Sequence, residues 1–263
     1  MEIKNTNTNP LQFNIGAGFK IMRNFFLKFI ELCRDLFFSK KCIDCNKEGE
    51  WWCREHRHFL DNEGIWRCPI CKIENKTGAT CSCCKRETYL DGVISFLPFF
   101  EPSPLSELLH DYKYNFVKDL ENLWEEMIGK NKVFTRENFW LQENVVFTPV
   151  PLHPLRERWR GFNQAQILLR IFLRLVKEKY PTQDFVFDDL LERIKKTQQQ
   201  AKLKKEDRLS NIKDAFKIKK ISPKRVILID DVFTSGATLS EAAKTLKQAG
   251  AQEVWALTLF RAE

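Results

Sequence analysis

Apolar positions fall into three patterns along this chain. From Ile21 to Phe38, the residues Phe25, Phe26, Phe29, Ile30, Cys33, Leu36 and Phe37 recur at helical spacing, which predicts an amphipathic helix. Arg23, Lys28, Glu31, Arg34 and Asp35 interrupt it too often for the roughly 20 apolar residues of a spanning helix, so no transmembrane segment is expected. Packing on the body of the protein is the expected role, with peripheral membrane contact or partner docking as the alternative. Residues 164–177 repeat the helical pattern, with Ile167, Leu168, Ile171, Phe172 and Leu175 on one face. The third pattern is a continuous apolar run, Val226-Ile-Leu-Ile, typical of a strand buried on both faces of a parallel sheet. Small hydroxylated residues follow it into a predicted helix, Leu239 to Ala249, closed by Gly250. A strand from Val254 to Phe260 completes a β-α-β unit, and Val145 to Phe147 reads as another strand. The expected class is α/β with a parallel sheet.

Composition changes this picture in two places. The chain has 263 residues, 43% of them hydrophobic and 13% aromatic, enough to bury a core and to exclude wholesale disorder. Its formal charge is +8, yet residues 193–225 alone hold 13 Lys/Arg against 3 Asp/Glu, so the rest of the chain is close to neutral. Eight of nine cysteines lie within residues 42–84. The polar start at Glu2 lacks the basic-then-apolar pattern of a secretory leader, which points to a cytoplasmic, reducing location where clustered thiols are metal ligands. These shifts divide the chain into a flexible lead and amphipathic helix (1–41), a small double zinc-ribbon module (42–88) and an α/β domain (89–263).

The cysteines fall in four short pairs: Cys42 with Cys45, Cys53 with His56, Cys68 with Cys71, and Cys81 with Cys84. Two ligands three positions apart clasp one metal from a tight turn, and two such turns complete a tetrahedral Zn²⁺ site. Pairing neighbours gives one Cys₃His and one Cys₄ site, both structural, because four protein ligands leave no position for a catalytic water. His58 could replace His56, Cys83 could compete with Cys84 or Cys81, and the pairs could interleave. With little apolar residue between the knuckles, residues 42–84 are expected to melt on chelation.

The most informative stretch runs through Asp230, Asp231, Val232, Phe233, Thr234, Ser235, Gly236, Ala237 and Thr238. Hydroxyls and backbone amides converge there on a helix N-terminus, a ready anion site for phosphate. The two carboxylates would repel phosphate, so their partner should be a pair of hydroxyls or a metal ion. A phosphate beside a vicinal diol describes a ribose 5-phosphate. No G-x₄-G-K-[ST] or G-x-G-x-x-G occurs, which argues against Walker-type nucleotide and dinucleotide sites.

That loop resembles the 5-phosphoribosyl 1-pyrophosphate motif of type I phosphoribosyltransferases: four apolar residues, two acids, two variable positions, two hydroxyl residues, Gly, one variable position and Thr. The chain from about residue 20 onward is similar to the ComF family of competence proteins, which join a cysteine-rich zinc ribbon to such a domain. Supporting segments are Pro149-Val-Pro151-Leu-His153, Arg160-Gly-Phe-Asn163-Gln164-Ala, Thr197-Gln-Gln-Gln200-Ala-Lys-Leu203, Arg208-Leu-Ser-Asn211, Ala215-Phe216 and His110-Asp-Tyr-Lys113-Tyr114. The resemblance implies a type I phosphoribosyltransferase-like fold in which Asp230 and Asp231 bind the ribose hydroxyls and act at the catalytic position. It assigns Thr234, Ser235, Gly236, Ala237 and Thr238 to the 5-phosphate. Pro149 and Val150 would line the pyrophosphate side, with Lys113, Arg156, Arg158 or Arg160 neutralising it and Arg160 preferred. Asn163 either joins them or only caps the helix 164–177, with Gln166 as reciprocal cap.

The implied ligands are two structural Zn²⁺ ions and Mg²⁺ with 5-phosphoribosyl 1-pyrophosphate. Family membership also implies DNA uptake, single-stranded DNA as partner, and a helicase-like competence protein. Lys202, Lys204, Lys205 and Arg208 are the candidate DNA contacts, salt-dependent and weakly sequence-selective. Only Phe216 is aromatic within the basic stretch, so base stacking must come from elsewhere in the chain. The competing reading is an active phosphoribosyltransferase of nucleotide metabolism with an unassigned acceptor.

Overall fold

The computed structural model describes residues 41–42, 44–56, 63–114, 120–135, 144–197, 210–220 and 223–262. The helix expected over 21–38 lies outside them. The chain divides after Cys53 into two compact units. The second cysteine module, with Cys68, Cys71, Cys81 and Cys84, shares the larger unit with the sheet.

Eight strands are present among the described residues: β1 (Ile65–Trp66), β2 (Gly92–Phe99), β3 (Val145–Pro149), β4 (Val186–Phe187), β5 (Leu191–Arg193), β6 (Phe216–Ile218), β7 (Arg225–Phe233) and β8 (Glu253–Ala262). Six form one sheet in the order β1-β2-β8-β7-β3-β4, parallel throughout except for the short edge strand β1. Strands β5 and β6 pair separately and antiparallel. The helices are α1 (Pro104–Tyr114), α2 (Leu120–Lys130), α3 (Pro154–Arg160), α4 (Gln164–Lys179) and α5 (Ala237–Gln248).

Central strand β7 is covered on both faces, as its unbroken apolar run requires. Val226 and Leu228 pack with Ala242, Ala243 and Leu246 of α5, together with Val254 and Ala256. On the opposite face, Ile229 lines a small cavity together with Leu168 and Phe172 of α4. Phe172 stacks obliquely on Phe147, with ring centroids 5.4 Å apart, filling the layer between α4 and the sheet. The predicted helix 164–177 runs two residues further, and Asn163 does cap it, accepting from the Ala165 amide at 3.0 Å.

Two boundaries shift in a way that matters for the site. Strand β7 continues through both acids to Phe233, with Asp230 opposite Thr258 and Val232 opposite Phe260 of β8. The acids therefore lie inside the ladder and not beyond its end. Helix α5 begins at Ala237, two residues before the expected start, because Gly236 adopts φ +73° and turns the chain at once. A Cβ there would stand 2.8 Å from the Phe233 ring, so glycine is required by both conformation and space.

Candidate functional site: two cysteine clusters and a phosphate-type loop

The two cysteine modules repeat one knuckle. In the first, the Cys42 amide donates to the Lys47 carbonyl at 2.8 Å and the Asn46 amide to the Cys42 carbonyl at 2.7 Å, with Asn46 at φ +60°. In the second, Cys68 donates to Ile73 at 3.0 Å and Lys72 to Cys68 at 3.1 Å, with Lys72 at φ +61°. Each turn aims its amides at the leading sulfur. Burial pushes the Cys42 thiol up, but the amides of Cys53, Asp44 and Cys45 outweigh it and bring it down to about 6. The amides of Cys81, Ile70 and Cys71 do the same for Cys68, again to about 6. Such thiols surrender their protons readily to a metal.

The ligand atoms of Cys42, Cys45, Cys53 and His56 lie within 4.8 Å of one another, as do those of Cys68, Cys71, Cys81 and Cys84. Sulfur separations of 3.7 Å for Cys45–Cys53 and 3.5 Å for both Cys71–Cys81 and Cys68–Cys81 are close to the roughly 3.8 Å edge of a tetrahedron with metal–sulfur bonds of about 2.3 Å. The donor sets thus suit a tetrahedral ion such as Zn²⁺, and the pairs group sequentially, not interleaved. Cys83 is exposed, its sulfur 3.3 Å from that of Cys81. His58 lies outside the described residues.

The second module is stitched to the sheet. Buried Arg261 of β8 forks its guanidinium onto the carbonyls of Arg67 and Cys68, both at 2.9 Å. The same guanidinium sits over the Phe233 ring, 5.0 Å from its centroid, and Phe233 is the ring that underlies Gly236. Thr88 Oγ1 and the Tyr89 amide both donate to Ser240 Oγ at 3.2 Å, on the first turns of α5. Sequence reasoning missed Arg261 because a lone arginine in a terminal apolar strand carries no motif.

At the carboxyl edge of the sheet the candidate ligand residues converge. The N-cap residue of α5 is Gly236, which offers no side chain, and the Ala237 amide donates to Ser235 Oγ at 3.5 Å. Pro149 and Val150 stand beside the acids, with the Val150 amide bonded to the Ile229 carbonyl at 2.9 Å. Asn163, besides capping α4, donates to the Val150 carbonyl at 3.1 Å and fixes that loop. Gln166 lines a nearby pocket instead of completing a reciprocal cap.

Two of the cations considered for the pyrophosphate side, Lys113 and Arg160, lie close to the acid pair. Lys113 Nζ lies 2.5 Å from Asp231 Oδ2, an ion pair at a side chain only 8% exposed. Arg160 is buried and donates to Gln164 Oε1 at 2.5 Å. Burial would raise Asp231, but the charges of Lys113 and then Arg160 hold it below the usual carboxylate range. Burial and the neighbouring Asp231 charge push Asp230 up to about 8. The pair thus holds one firmly ionised and one readily protonated carboxyl.

Of the basic stretch, Lys202, Lys204, Lys205 and Arg208 lie outside the described residues. Arg193, which opens the stretch, is buried over the Phe216 ring with Nη2 bonded to Thr197 Oγ1 at 2.5 Å, and burial brings it down to about 10. Lys220 pairs with Asp188 at 2.5 Å and Arg225 with Glu253 at 3.6 Å. The surface charge available from residues 193–225 is smaller than the sequence count, because these ends serve the fold.

A parallel sheet whose central strand carries an acid pair into an open helix N-terminus defines a phosphoribosyltransferase-type domain, and residues 160–263 match the phosphoribosyl transferase domain family. The chain is 30% identical over 221 residues to Competence protein ComFC of Streptococcus pneumoniae, covering 84% of this chain and 87% of that protein. It is 27% identical over 245 residues to Competence protein F of Haemophilus influenzae, covering 86% and 99%. DNA utilization protein YhgH of Escherichia coli is 27% identical over 157 residues, 59% of this chain and 66% of that protein. The chain belongs to the ComF family. No helix among the described residues is long and apolar enough to cross a membrane.

Proposed function

We propose that this chain acts in DNA uptake and use, binding a 5-phosphoribosyl ligand at the β7–α5 loop and single-stranded DNA through its basic surface. The observation that carries the ligand reading is the juxtaposition of the Asp230–Asp231 pair with the glycine-capped N-terminus of α5. Amides there suit a phosphate and the carboxylates suit ribose hydroxyls. The relatives' names, competence and DNA utilization proteins, supply the process. Zn²⁺ fills the cysteine clusters, and Mg²⁺ arrives with the pyrophosphate of the ligand. A helicase-like partner would hand over the strand.

Calorimetry of 5-phosphoribosyl 1-pyrophosphate with Mg²⁺ should show binding by the wild type and none by Asp230→Asn/Asp231→Asn. Absence of binding by the wild type would sink the ligand reading. Labelled single strands should bind with affinity that falls steeply with salt and weakens when Lys202, Lys204, Lys205 and Arg208 are neutralised.

One observation favours a second reading, an active transferase. Asp230, pushed up to about 8, is poised to exchange a proton near neutral pH while a nucleophile attacks C1 of the ribose and pyrophosphate departs. Pyrophosphate release in a screen of nucleobase and nucleic-acid acceptors tests it.

A further inference from the structure

Helix α3 is short and firmly held. His153 Nδ1 accepts from the Leu155 amide at 3.3 Å at its start, and Gly161 closes it in the left-handed conformation, donating to the Glu157 carbonyl at 2.7 Å. Arg160, on the inward side, is buried against Gln164. The outward side carries Leu155, Arg158 and Trp159, spaced three and four residues apart and therefore on one ridge. Leu155 is 50% exposed and Trp159 57%. Trp51, Trp52, Trp66, Trp124 and Trp255 are all buried or half-buried, so Trp159 is the exposed indole among the described residues.

The same helix carries Arg156, Glu157 and Arg158, and its Pro154 and Glu157 line the pocket beside Asn163. Arg156 donates from Nη2 to the Thr197 carbonyl at 3.2 Å, which places α3 at the root of the most basic stretch of the chain. Arg160, at the other end of the helix, contributes its charge to Asp231. An exposed indole with exposed Arg158 beside it on the ridge offers aromatic surface for a base and a charge for an adjacent phosphate. It supplies the aromatic element that the basic stretch itself lacks. Two apolar side chains on a seven-residue helix, set among arginines, form too small and too charged a surface for a stable protein interface.

We infer that the Leu155–Arg158–Trp159 ridge is a stacking platform for an unpaired base of single-stranded DNA, with Trp159 taking the base and Arg158 an adjacent phosphate. The inference rests on the reading of this chain as a single-strand binder and adds the residue that senses bases. Stacking on one ring is sequence-tolerant, since every base has a π-face, so the platform discriminates base from no base and not one base from another.

The test compares a labelled oligothymidylate with an abasic strand of the same length, by fluorescence anisotropy at several salt concentrations. The wild type should bind the thymidylate about tenfold more tightly. Trp159→Leu should lose that preference while keeping its salt dependence, and Trp159→Phe should recover most of it. Thermal unfolding of each variant checks that the fold is unchanged, as an exposed position predicts. A Trp159→Leu protein that keeps the full preference for bases overturns the inference. So does one that keeps its DNA affinity but no longer retains a helicase-like partner, which would assign the ridge to protein docking. If the wild type binds neither strand, the single-strand reading itself fails, an outcome distinct from both.

Discussion

The two cysteine modules share a knuckle but differ in what holds them. In the first, Lys41 bridges to Glu48 and the Cys53 amide meets Cys42 Sγ at 3.4 Å, both contacts within the module. The second sits at the end of a sheet. Strand β1 pairs with β2, the Val93 amide donates to Gly78 at 2.9 Å, Thr80 Oγ1 donates to the Leu90 carbonyl at 2.6 Å, and Arg261 grips Cys68. A cluster stitched to a sheet shares its stability with that sheet, so the second should outlast the first when the ion is lost. One ligand pattern therefore yields two different dependencies, and chelation should separate them.

Paired substitutions break the comparison most sharply. Cys42→Ser/Cys45→Ser should lower metal content from two equivalents to one and abolish amide protection over residues 41–53, leaving β2 and β8 unchanged. Cys68→Ser/Cys71→Ser should lower metal content equally but destabilise the larger unit by at least about 3 kcal/mol, seen as faster exchange in β2 and β8 and a lower unfolding midpoint. Equal effects of both pairs on β2 would erase the distinction. The same measurement distinguishes joint melting of residues 42–84, the expectation from the sequence, from stepwise loss with the first module before the second.

Arg261 is the next lever. Arg261→Met removes two charged hydrogen bonds, to Arg67 and Cys68, and the cation over Phe233, and should cost about 3 kcal/mol in a denaturant titration. Arg261→Lys keeps the charge without the fork and should cost less. The first module should be indifferent to either. Because Phe233 underlies Gly236, the Met variant should also weaken phosphoribosyl ligand binding, which calorimetry would detect.

Much of this was legible in the sequence, and the reason is chemical regularity. Cysteines at x₂ spacing must form knuckles, and a four-residue apolar run must be buried on both faces, so both clusters and β7 follow from short-range pattern. The helix 164–177 and the Asn163 cap follow equally from periodicity and side-chain chemistry. What stayed hidden depends on distant partners. Lys113 meets Asp231 across 118 residues of chain, and Arg261 reaches Cys68 across 193. Arg193 looked like one more cation of a solvated run until the fold buried it over Phe216. Charge counts see composition, whereas the direction of a side chain is decided by tertiary packing.

Changes in pH sharpen the comparison by sign. Protonation of the thiolates loosens both metal modules as pH falls. The larger unit carries an opposing contribution. Asp230 is raised from 3.8 to about 8, so its share of stability is fully present below pH 3.8 and is lost as pH rises through about 8. Asp231, held down by Lys113, contributes the reverse, stability lost only on acidification below the usual carboxylate range. Amide exchange followed from pH 5 to 8 should therefore show residues 41–53 tightening steadily. The strands β7 and β8 should loosen toward the alkaline end, and Asp230→Asn should remove that loosening. A wild-type profile for β7 that rises in parallel with residues 41–53 would show that Asp230 titrates normally.

The smallest effect is expected at Ser240, where the second module touches the helix that opens at the phosphate-type loop. Its hydroxyl accepts from Thr88 Oγ1 and from the Tyr89 amide, each at 3.2 Å, and neither donor is fully buried. Long, partly solvated hydrogen bonds are replaced by water at little cost, so Ser240→Ala should destabilise by only about 0.5–1 kcal/mol. The effect should be local: faster exchange at the Tyr89 amide, unchanged exchange in residues 41–53, and unchanged metal content. If Ser240→Ala instead matched Arg261→Met, the tether between module and sheet would run through α5 and not through the guanidinium fork. Because the two residues approach the loop from different sides, Phe233 beneath it and the first turns of α5 beyond it, the double variant measures their coupling directly. Additivity within about 0.5 kcal/mol would mean two independent stitches, and a larger interaction would mean that the loop transmits strain from one to the other.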